Sequence, residues 1–506
     1  MWVWRSRSIC SGKTNFLRAA IRVDSSTAIG EGHFFRCFNL AREIVRRKIE
    51  VVFVCNELKN GHAELVRNLG CTLIEITSGE NEVADASAFL NAVSSFEPEI
   101  VVVDSYKLKV DWESYVRSSV GTLVVIADLP DVKHSCDFLV DQNLTDRTVE
   151  TWNHLAPDAK ILIGPRYALL DSRLNKRRRF KFGEKVTNEN ILVYFGGTDV
   201  VGILTKTVEA LESIASHSSP ACVVAHKEQW QDVVRSINKS VDWCTHQEPN
   251  SFFVDLMDNA SLAIGAGGST VWERLCLGVD QVLISIARNQ EYGCIELNKR
   301  DLVTYLGDHE KVSKDEIRLA IENRINARSF SNTQVMDGQL LVDGFGSCRV
   351  VENVIPTPID GITVRRATPA DAALYFVWVN DQYVRSASFN DREIEWDEHF
   401  VWFSHKVNSD ASKMYVCLAD GLPVGQVRFD FVDDHVELDY SLDPDVRGRD
   451  WAKAMLDLAL HEFRAHSQDA VFATVRNQNT RSISALLKAG YAQISEDELS
   501  AVFLHM

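Results

Sequence analysis

At 506 residues the chain is too long for one hydrophobic core, and two to four domains are expected. Its 45% apolar and 25% charged content is that of a globular protein, and a formal net charge of −17 excludes a nucleic-acid-binding surface, which needs a basic footprint. Any anionic ligand must be held locally, by loop amides and helix starts.

Eleven cysteines, with no CxxC pair and no zinc-spaced His/Cys cluster, imply reduced thiols in a cytoplasm and no metal centre. No apolar run reaches the roughly 18 residues of a membrane span. The first 20 residues carry Arg5, Arg7, Lys13 and Arg18, with neither an acid nor an apolar signal core, and are expected to be a disordered extension. Within them "SGKT" at Ser11–Thr14 imitates a phosphate loop, but Arg7 stands where the first glycine is required.

From Ile21 onward, short apolar runs alternate with helical patterns. The runs are Val51–Cys55, Ile100–Val103, Leu123–Ala127, Ile161–Ile163, Ile191–Phe195, Ala221–Val224, Leu262–Ile264 and Val282–Ile286. Rich in Val and Ile and bounded by Gly, Asp or Asn, they read as buried parallel strands. Between the apolar start at Ile21 and Val51–Cys55, Phe34–Arg47 is read as a helix with Phe35, Phe38, Ala41, Ile44 and Val45 on one face. A basic, strand-poor stretch at 171–190 interrupts the alternation. The pattern predicts an α/β architecture of two Rossmann-like lobes, residues 21–180 and 190–345, with a cleft between them. Pro356, Pro358 and Gly361 mark a linker over 346–361. Residues 362–506 read as one α+β domain, in which Thr368 or Asp371 can cap a helix and Met414–Leu418 pairs with Gly425–Phe431 across "ADGLP".

The chemistry-bearing segments lie at strand ends. "IGEGHFFRC" at 29–37 puts Gly30 and Gly32 on a corner and His33 at a helix start, an anion pocket with an imidazole at its rim. "YFGGTD" offers Gly196 and Gly197, with Thr198 as a cap. "IGAGGSTVWE" repeats the device with Gly268, Ser269 and Thr270. Glu273, one turn further on, can accept hydrogen bonds from a ribose or simply favour the helix dipole. Glycine loops opposed across a cleft suit a nucleotide-diphosphate sugar.

In order along the chain, "RVDSSTAIGEGHFFRCFNLA", "VVDSY", "DQN", "LIGPRYALLD", "YFGGTD", "GAGGSTVWERLCLG" and "ARNQ" resemble the UDP-sugar hydrolase family of pseudaminic acid biosynthesis and its relatives in spore-coat polysaccharide synthesis. The resemblance covers about residues 21–345 and implies a glycosyltransferase-B type fold. It also implies metal-independent hydrolysis of UDP-2,4-diacetamido-2,4,6-trideoxy-β-L-altropyranose with inversion. By it His33 is the catalytic imidazole that directs the attacking water, with Tyr106 and Asn289 beside the sugar. Asp24, Arg36 and Gln290 fall in the matching motifs and are expected to bind substrate together with the glycine loops. Ser105 stands where the family has a histidine.

In the last domain, "HVELDYSLDPDVRGRDWAKAMLDLAL" is a strand, a short basic loop and a helix, the elements of a pyrophosphate cradle. With "VRNQNTRSISALLKAGY" it resembles the GCN5-related N-acetyltransferase family, which implies acetyl-CoA as co-substrate. The expected cofactor contacts are Leu442, Arg447, Gly448, Arg449, Trp451, Ala452, Asn479 and Ser482. Asp450 replaces the middle glycine of the family pattern, and Leu486 replaces the usual tyrosine, which leaves the general acid unassigned. Glu437 or Asp439 can relay the amine's proton through water, or face solvent. Asn380 and Arg385, with Trp396 and Trp402, lie in a segment resembling the acceptor-binding helices of sugar-nucleotide N-acetyltransferases.

The expected protein is bifunctional. It N-acetylates UDP-4-amino-4,6-dideoxy-N-acetyl-β-L-altrosamine, then hydrolyses the product, and one chain raises the second site's effective concentration of intermediate. Its partner is a UDP-sugar, with neither nucleic acid nor membrane. A glycosyltransferase of the same fold, or a sugar-nucleotide sensor with a degenerate acetyltransferase domain, stays open at this point.

Overall fold

Three sheets organise the chain in a computed structural model that describes residues 17–26, 29–77, 79–144, 146, 149–178, 190–196, 201–214, 220–237, 243–249, 253–327, 333–433 and 435–506. The first holds β1 (Arg18–Val23), β2 (Glu50–Cys55), β3 (Thr72–Glu75), β4 (Ile100–Asp104), β5 (Thr122–Ile126), β6 (Phe138–Asp141) and β7 (Lys160–Ile163), in the order β3-β2-β1-β4-β5-β6-β7. The second holds β8 (Ile191–Tyr194), β9 (Ala221–Val224), β10 (Cys244–Gln247), β11 (Leu262–Ala266), β12 (Asp280–Ser285) and β13 (Thr304–Asp308), in the order β10-β9-β8-β11-β12-β13. Every pairing in both sheets is parallel. This is the expected α/β pair of Rossmann-like lobes.

Strand order reverses at β1/β4 in the first sheet and at β8/β11 in the second. At such a reversal the connections leave to opposite faces and open a crevice beyond the strands' carboxyl ends. The segments "IGEGHFFRC", "VVDSY", "YFGGTD" and "IGAGGSTVWE" all leave the carboxyl ends of these four strands.

The central strands are dry. Ala19, Ala20 and Ile21 of β1 and Val101 of β4 are fully buried, so residues 18–20, expected in an extension, belong to the sheet. The helix Gly32–Arg46 buries Phe34, Cys37, Phe38, Ala41 and Ile44, whereas Phe35 is exposed. Phe38, Ala41 and Ile44 lie on the expected face, but Phe34 takes the buried place expected of Phe35, and Val45 is only half-buried. Phe34 anchors the face by stacking on Phe38 and on His62, ring centroids 5.7 and 3.9 Å apart.

The chain divides into two compact units, Met1–Val351 and Glu352–Met506. The stretch 346–361 differs from the expected linker, because it begins as a helix, Gly346–Val354. Its first turn returns to the first lobe: Ser347 Oγ donates to Leu170 O (2.8 Å) and Arg349 Nη1 to Arg166 O (2.9 Å).

In the second unit β14 (Ile362–Arg366), β15 (Ser412–Ala419), β16 (Leu422–Val432), β17 (His435–Leu442), β18 (Val471–Arg476), β19 (Ala492–Glu496) and β20 (Ser500–His505) form a mixed sheet ordered β14-β15-β16-β17-β18-β20-β19. β15 and β16 are the expected hairpin, and Thr368 and Asp371 cap reciprocally. No helix among the described residues is long and apolar enough to cross a membrane.

A Cβ on Gly346 would sit 2.1 Å from Ala168 O, a backbone atom that cannot move aside. Gly346→Ala is expected to destabilise the first unit by about 2–3 kcal/mol in urea unfolding. An unchanged midpoint contradicts this packing of the returning helix.

Candidate functional site

In the first unit one carboxylate gathers His33 and Arg36 around it. Asp104 ends β4 fully buried and accepts from His33 Nδ1 (2.6 Å) and from Arg36 Nη2 (2.6 Å), with Arg36 Nε on its other oxygen. His33 and Arg36 are three residues apart in the helix 32–46, so both project from one face toward β4. Arg36 Nη1 donates to both oxygens of Asp128, just past β5 (2.8 Å each). Tyr106 donates to Asp128 Oδ2 (2.8 Å), and its ring stands edge-on to His33 with centroids 4.7 Å apart. Asn289, from the second lobe, donates Nδ2 to Tyr106 OH (3.3 Å). Asn143 of "DQN" also donates to Asp128 (3.1 Å).

Charge fixes the protons in this cluster. Burial alone would raise the Asp104 pKa, but the Arg36 guanidinium and His33 hold it down at about 2, so Asp104 is an acceptor only. His33 Nδ1 must therefore carry a hydrogen, and the 3.1 Å approach of Arg36 Nη2 to it is proximity, not a hydrogen bond. His33 Nε2 has no partner among the described residues and is the nitrogen able to take a proton from a bound water. Burial also raises Asp128, and Arg36 outweighs it. Enclosure of the Tyr106 hydroxyl beside Asp128 pushes that phenol up, so it stays a donor.

Opposite lies the second lobe's glycine loop. A Cβ on Gly32 would come 3.9 Å from Ser269 Oγ and one on Gly268 would come 3.7 Å from Gln290 Nε2, so the two loops and the start of helix 288–299 face one another closely. Ser269 precedes the helix Thr270–Leu277 without a side-chain cap bond. Gln290 accepts from Ile286 N (3.1 Å). Gly30 and Gly196 adopt φ of 85° and 93°, the left-handed values that turn both loops. Gly197 and Thr198 lie outside the described residues. Asp24 is spent locally, accepting from Arg22 Nη1 (2.6 Å) and Asn56 N (2.7 Å). Burial raises the Glu273 carboxyl from 4.5 to about 7 against the pull of Arg274.

In the second unit β17 pairs with β16 along its whole length but with β18 only at Val436↔Val471 and Glu437↔Phe472. Beyond Leu438 the two strands diverge and open a split. At its mouth the loop 443–450 turns through Gly448 (φ 83°) and Asp450 (φ 57°) into the helix Trp451–Arg464. The Asp450 side chain is 81% exposed and paired with Lys488 (2.9 Å), so it points away from the loop amides. Arg447 is held by Asp381 (2.6 Å) and Leu442 O (3.0 Å), and Arg449 by Glu352 (2.6 Å). Trp451 is buried and Ala452 half-buried behind the loop. Asn479 caps the helix Thr480–Lys488 by accepting from Ser482 N (3.2 Å). The loop amides, the helix start and the open strand edge suit a pyrophosphate-bearing thioester.

The acceptor-side residues separate. Asp439 stands beside Arg428 (3.3 Å) and Gln426 (3.4 Å) of the neighbouring strand β16. Glu437 is 60% exposed near His435. Asn380 spends its amide on Ile394, donating to its O (2.8 Å) and accepting from its N (2.9 Å). Arg385 braces the next loop through Asn390 O and Arg392 O. Trp396 is core, packed on Phe376 and His399, whereas Trp402 lies under Arg428 (4.9 Å).

Residues 362–492 match the family model of the acetyltransferase (GNAT) domain. A UDP-2,4-diacetamido-2,4,6-trideoxy-β-L-altropyranose hydrolase of Campylobacter jejuni is 23% identical over 297 residues, 56% of this chain and 97% of that protein. The chain joins a part homologous to a UDP-sugar hydrolase to a GNAT domain. An uncharacterized protein of Methanocaldococcus jannaschii is 21% identical over 404 residues, 78% of this chain and 79% of its own. That match exceeds the first unit and so takes in part of the GNAT unit. Among solved structures, MurG of Acinetobacter baumannii is 11% identical, covering 66% of this chain and 98% of its own with a TM-score of 0.48.

Asp104, Asp128 and Asn143 escaped the sequence reading as site residues. Asp104 and Asn143 fall inside the motifs "VVDSY" and "DQN", and Asp128 carries only the signal of an acid after a Val/Ile run, which is also how an ordinary strand stops.

Glu273 titrates with a sign that can be checked. Its folded pKa lies above the unfolded value, so its contribution to stability is complete below pH 4.5 and is lost as pH rises through about 7. Glu273→Gln is expected to match wild type in thermal unfolding at pH 4.5 and to exceed it at pH 8. Equal melting at both pH values refutes the raised carboxyl.

Proposed function

We propose that the first unit hydrolyses a UDP-linked diacetamido-trideoxy sugar and that the GNAT unit acetylates its 4-amino precursor from acetyl-CoA. The observation that carries this reading is the His33–Asp104–Arg36 cluster at the strand-order reversal, facing the second lobe's glycine loop. Asp104 keeps the Nδ1 hydrogen in place. Nε2 then takes a proton from a water as that water bonds to the sugar's anomeric carbon. Tyr106 gives its one hydrogen to Asp128 and accepts from Asn289, which ties its position to both lobes, and its ring lines the sugar's place beside His33. The bond to the diphosphate breaks with its electron pair on oxygen, where loop amides and the start of helix 270–277 spread the charge. Glu273 receives the ribose hydroxyls. Inversion at carbon 1 follows from direct attack by water on the face opposite the diphosphate.

In the GNAT unit the loop 443–450 holds the pyrophosphate of acetyl-CoA. The outward turn of Asp450 supports a working site, since it removes the acid from the phosphate's path. The 4-amino group approaches beside Asp439.

Both activities are read in one mixture of the UDP-4-amino sugar with acetyl-CoA, following free thiol and UDP. His33→Ala is expected to release thiol at the wild-type rate and no UDP. Asp104→Asn is expected to slow UDP release at least about 100-fold with thiol release unchanged. UDP release that depends on an added sugar or lipid acceptor contradicts hydrolysis, and calorimetry with no heat from acetyl-CoA contradicts the transferase.

A further inference from the structure

We propose that Tyr440 gives the departing thiolate its proton in acetyl transfer, acting from within the split between β17 and β18. The assignment rests on the acetyl-transfer reading of this unit. The helix 480–488 has no acid at position 486, where Leu486 is fully buried in the core. A phenol from the neighbouring strand comes to the same helix one turn earlier. Tyr440 OH lies 2.6 Å from Ser482 Oγ and donates to Ser482 O at 3.3 Å.

Tyr440 stands three residues past the last β17–β18 pairing at Glu437, where the strands have parted, and its hydroxyl reaches the start of the helix that follows β18. Side chains alternate along β17. Asp439, beside Arg428 and Gln426, and Tyr440, beside Ser482, therefore serve opposite faces at one level of the split. A thioester lying in the split has a carboxylate on the amine's side and a phenol on the helix side.

The amine nitrogen bonds to the thioester carbon, the C–S bond breaks with its electron pair on sulfur, and the phenolic proton passes to sulfur. The proton shed by the amine nitrogen restores the phenol through water and the Ser482 hydroxyl. The products are the amide and a neutral thiol. Burial pushes the Tyr440 hydroxyl up to about 12, so it holds its proton across the neutral range.

Tyr440→Phe keeps the ring and removes only the hydroxyl. With the UDP-4-amino sugar and acetyl-CoA, kcat is expected to fall about 100-fold while KM for acetyl-CoA stays unchanged. Calorimetry is expected to show unchanged affinity for CoA. The thiol of bound CoA, followed by the near-ultraviolet absorption of its thiolate, is expected to titrate at higher pH in the variant, because a donor to the thiolate is gone. Ser482→Ala is expected to lower kcat by less, since water replaces its hydroxyl in the relay. Unimpaired turnover in Tyr440→Phe overturns the assignment and leaves acetyl transfer standing. Turnover lost in step with CoA affinity, with the thiol titration unmoved, also overturns it. Wild-type protein that binds CoA but acetylates no UDP-4-amino sugar overturns the acetyl-transfer reading and this assignment together.

Discussion

A carboxylate that cannot reach water holds the first unit's polar cluster together. Asp104 is fully buried at the end of β4, and a buried charge without partners costs several kcal/mol. Its stability therefore requires His33 and Arg36 together, and they arrive only when the helix 32–46 docks against β1 and β4 in one register. The interaction that makes the fold tolerable is the same one that orients the imidazole. Arg36 extends it to Asp128, and Tyr106 extends it to Asn289 in the second lobe, so the polar chain crosses the cleft.

The GNAT unit is governed by a different constraint, a sheet that stops pairing. After Glu437, β17 follows β16 and leaves β18, and the backbone groups freed along that edge need a partner from outside the sheet. The neighbouring loop is rigidified around this opening. Asp381 and Glu352 neutralise Arg447 and Arg449, which removes their freedom to wander and leaves the amides of the turn as the anion-facing groups. Asp450 accepts a left-handed φ that a glycine adopts more readily, and Lys488 holds its carboxylate outward.

Legibility followed burial only in part: the interior strand β6 passed unread, whereas the edge strand β7 was expected. Runs such as Ile100–Val103 and Ile191–Phe195 were readable as strands because both of their faces are covered, which demands uninterrupted apolar residues. β3, β10 and β13 sit at or near sheet edges and carry charged or polar residues such as Glu75, Thr245 and Asp308, so nothing in their composition sets them apart. The helix face is legible at Phe38, Ala41 and Ile44, but Phe34 and Phe35 satisfy the 3.6-residue period almost equally, and it is Phe34 that stacks face to face on His62. The stretch after Asp343 read as a linker although its first turn is bonded to the first lobe. Gly346 and Ser347 carry no apolar signal for a contact made through a backbone oxygen.

By themselves the residues determined the architecture and the glycine corners, because alternating buried strands and helices admit few arrangements and positive φ selects glycine. Motif order also singled out His33, Tyr106 and Asn289, which the structure brings together. Only the tertiary structure decided which acids serve them. Asp104 and Asp128 lie 71 and 92 residues from their partners His33 and Arg36, and no local pattern encodes a pairing at that separation. It likewise turned Asp450 outward, spent Asp24 and Asn380 on backbone groups, and brought Tyr440 across a gap to Ser482. Each of these depends on where a side chain finds its nearest charge or hydrogen-bond partner in space.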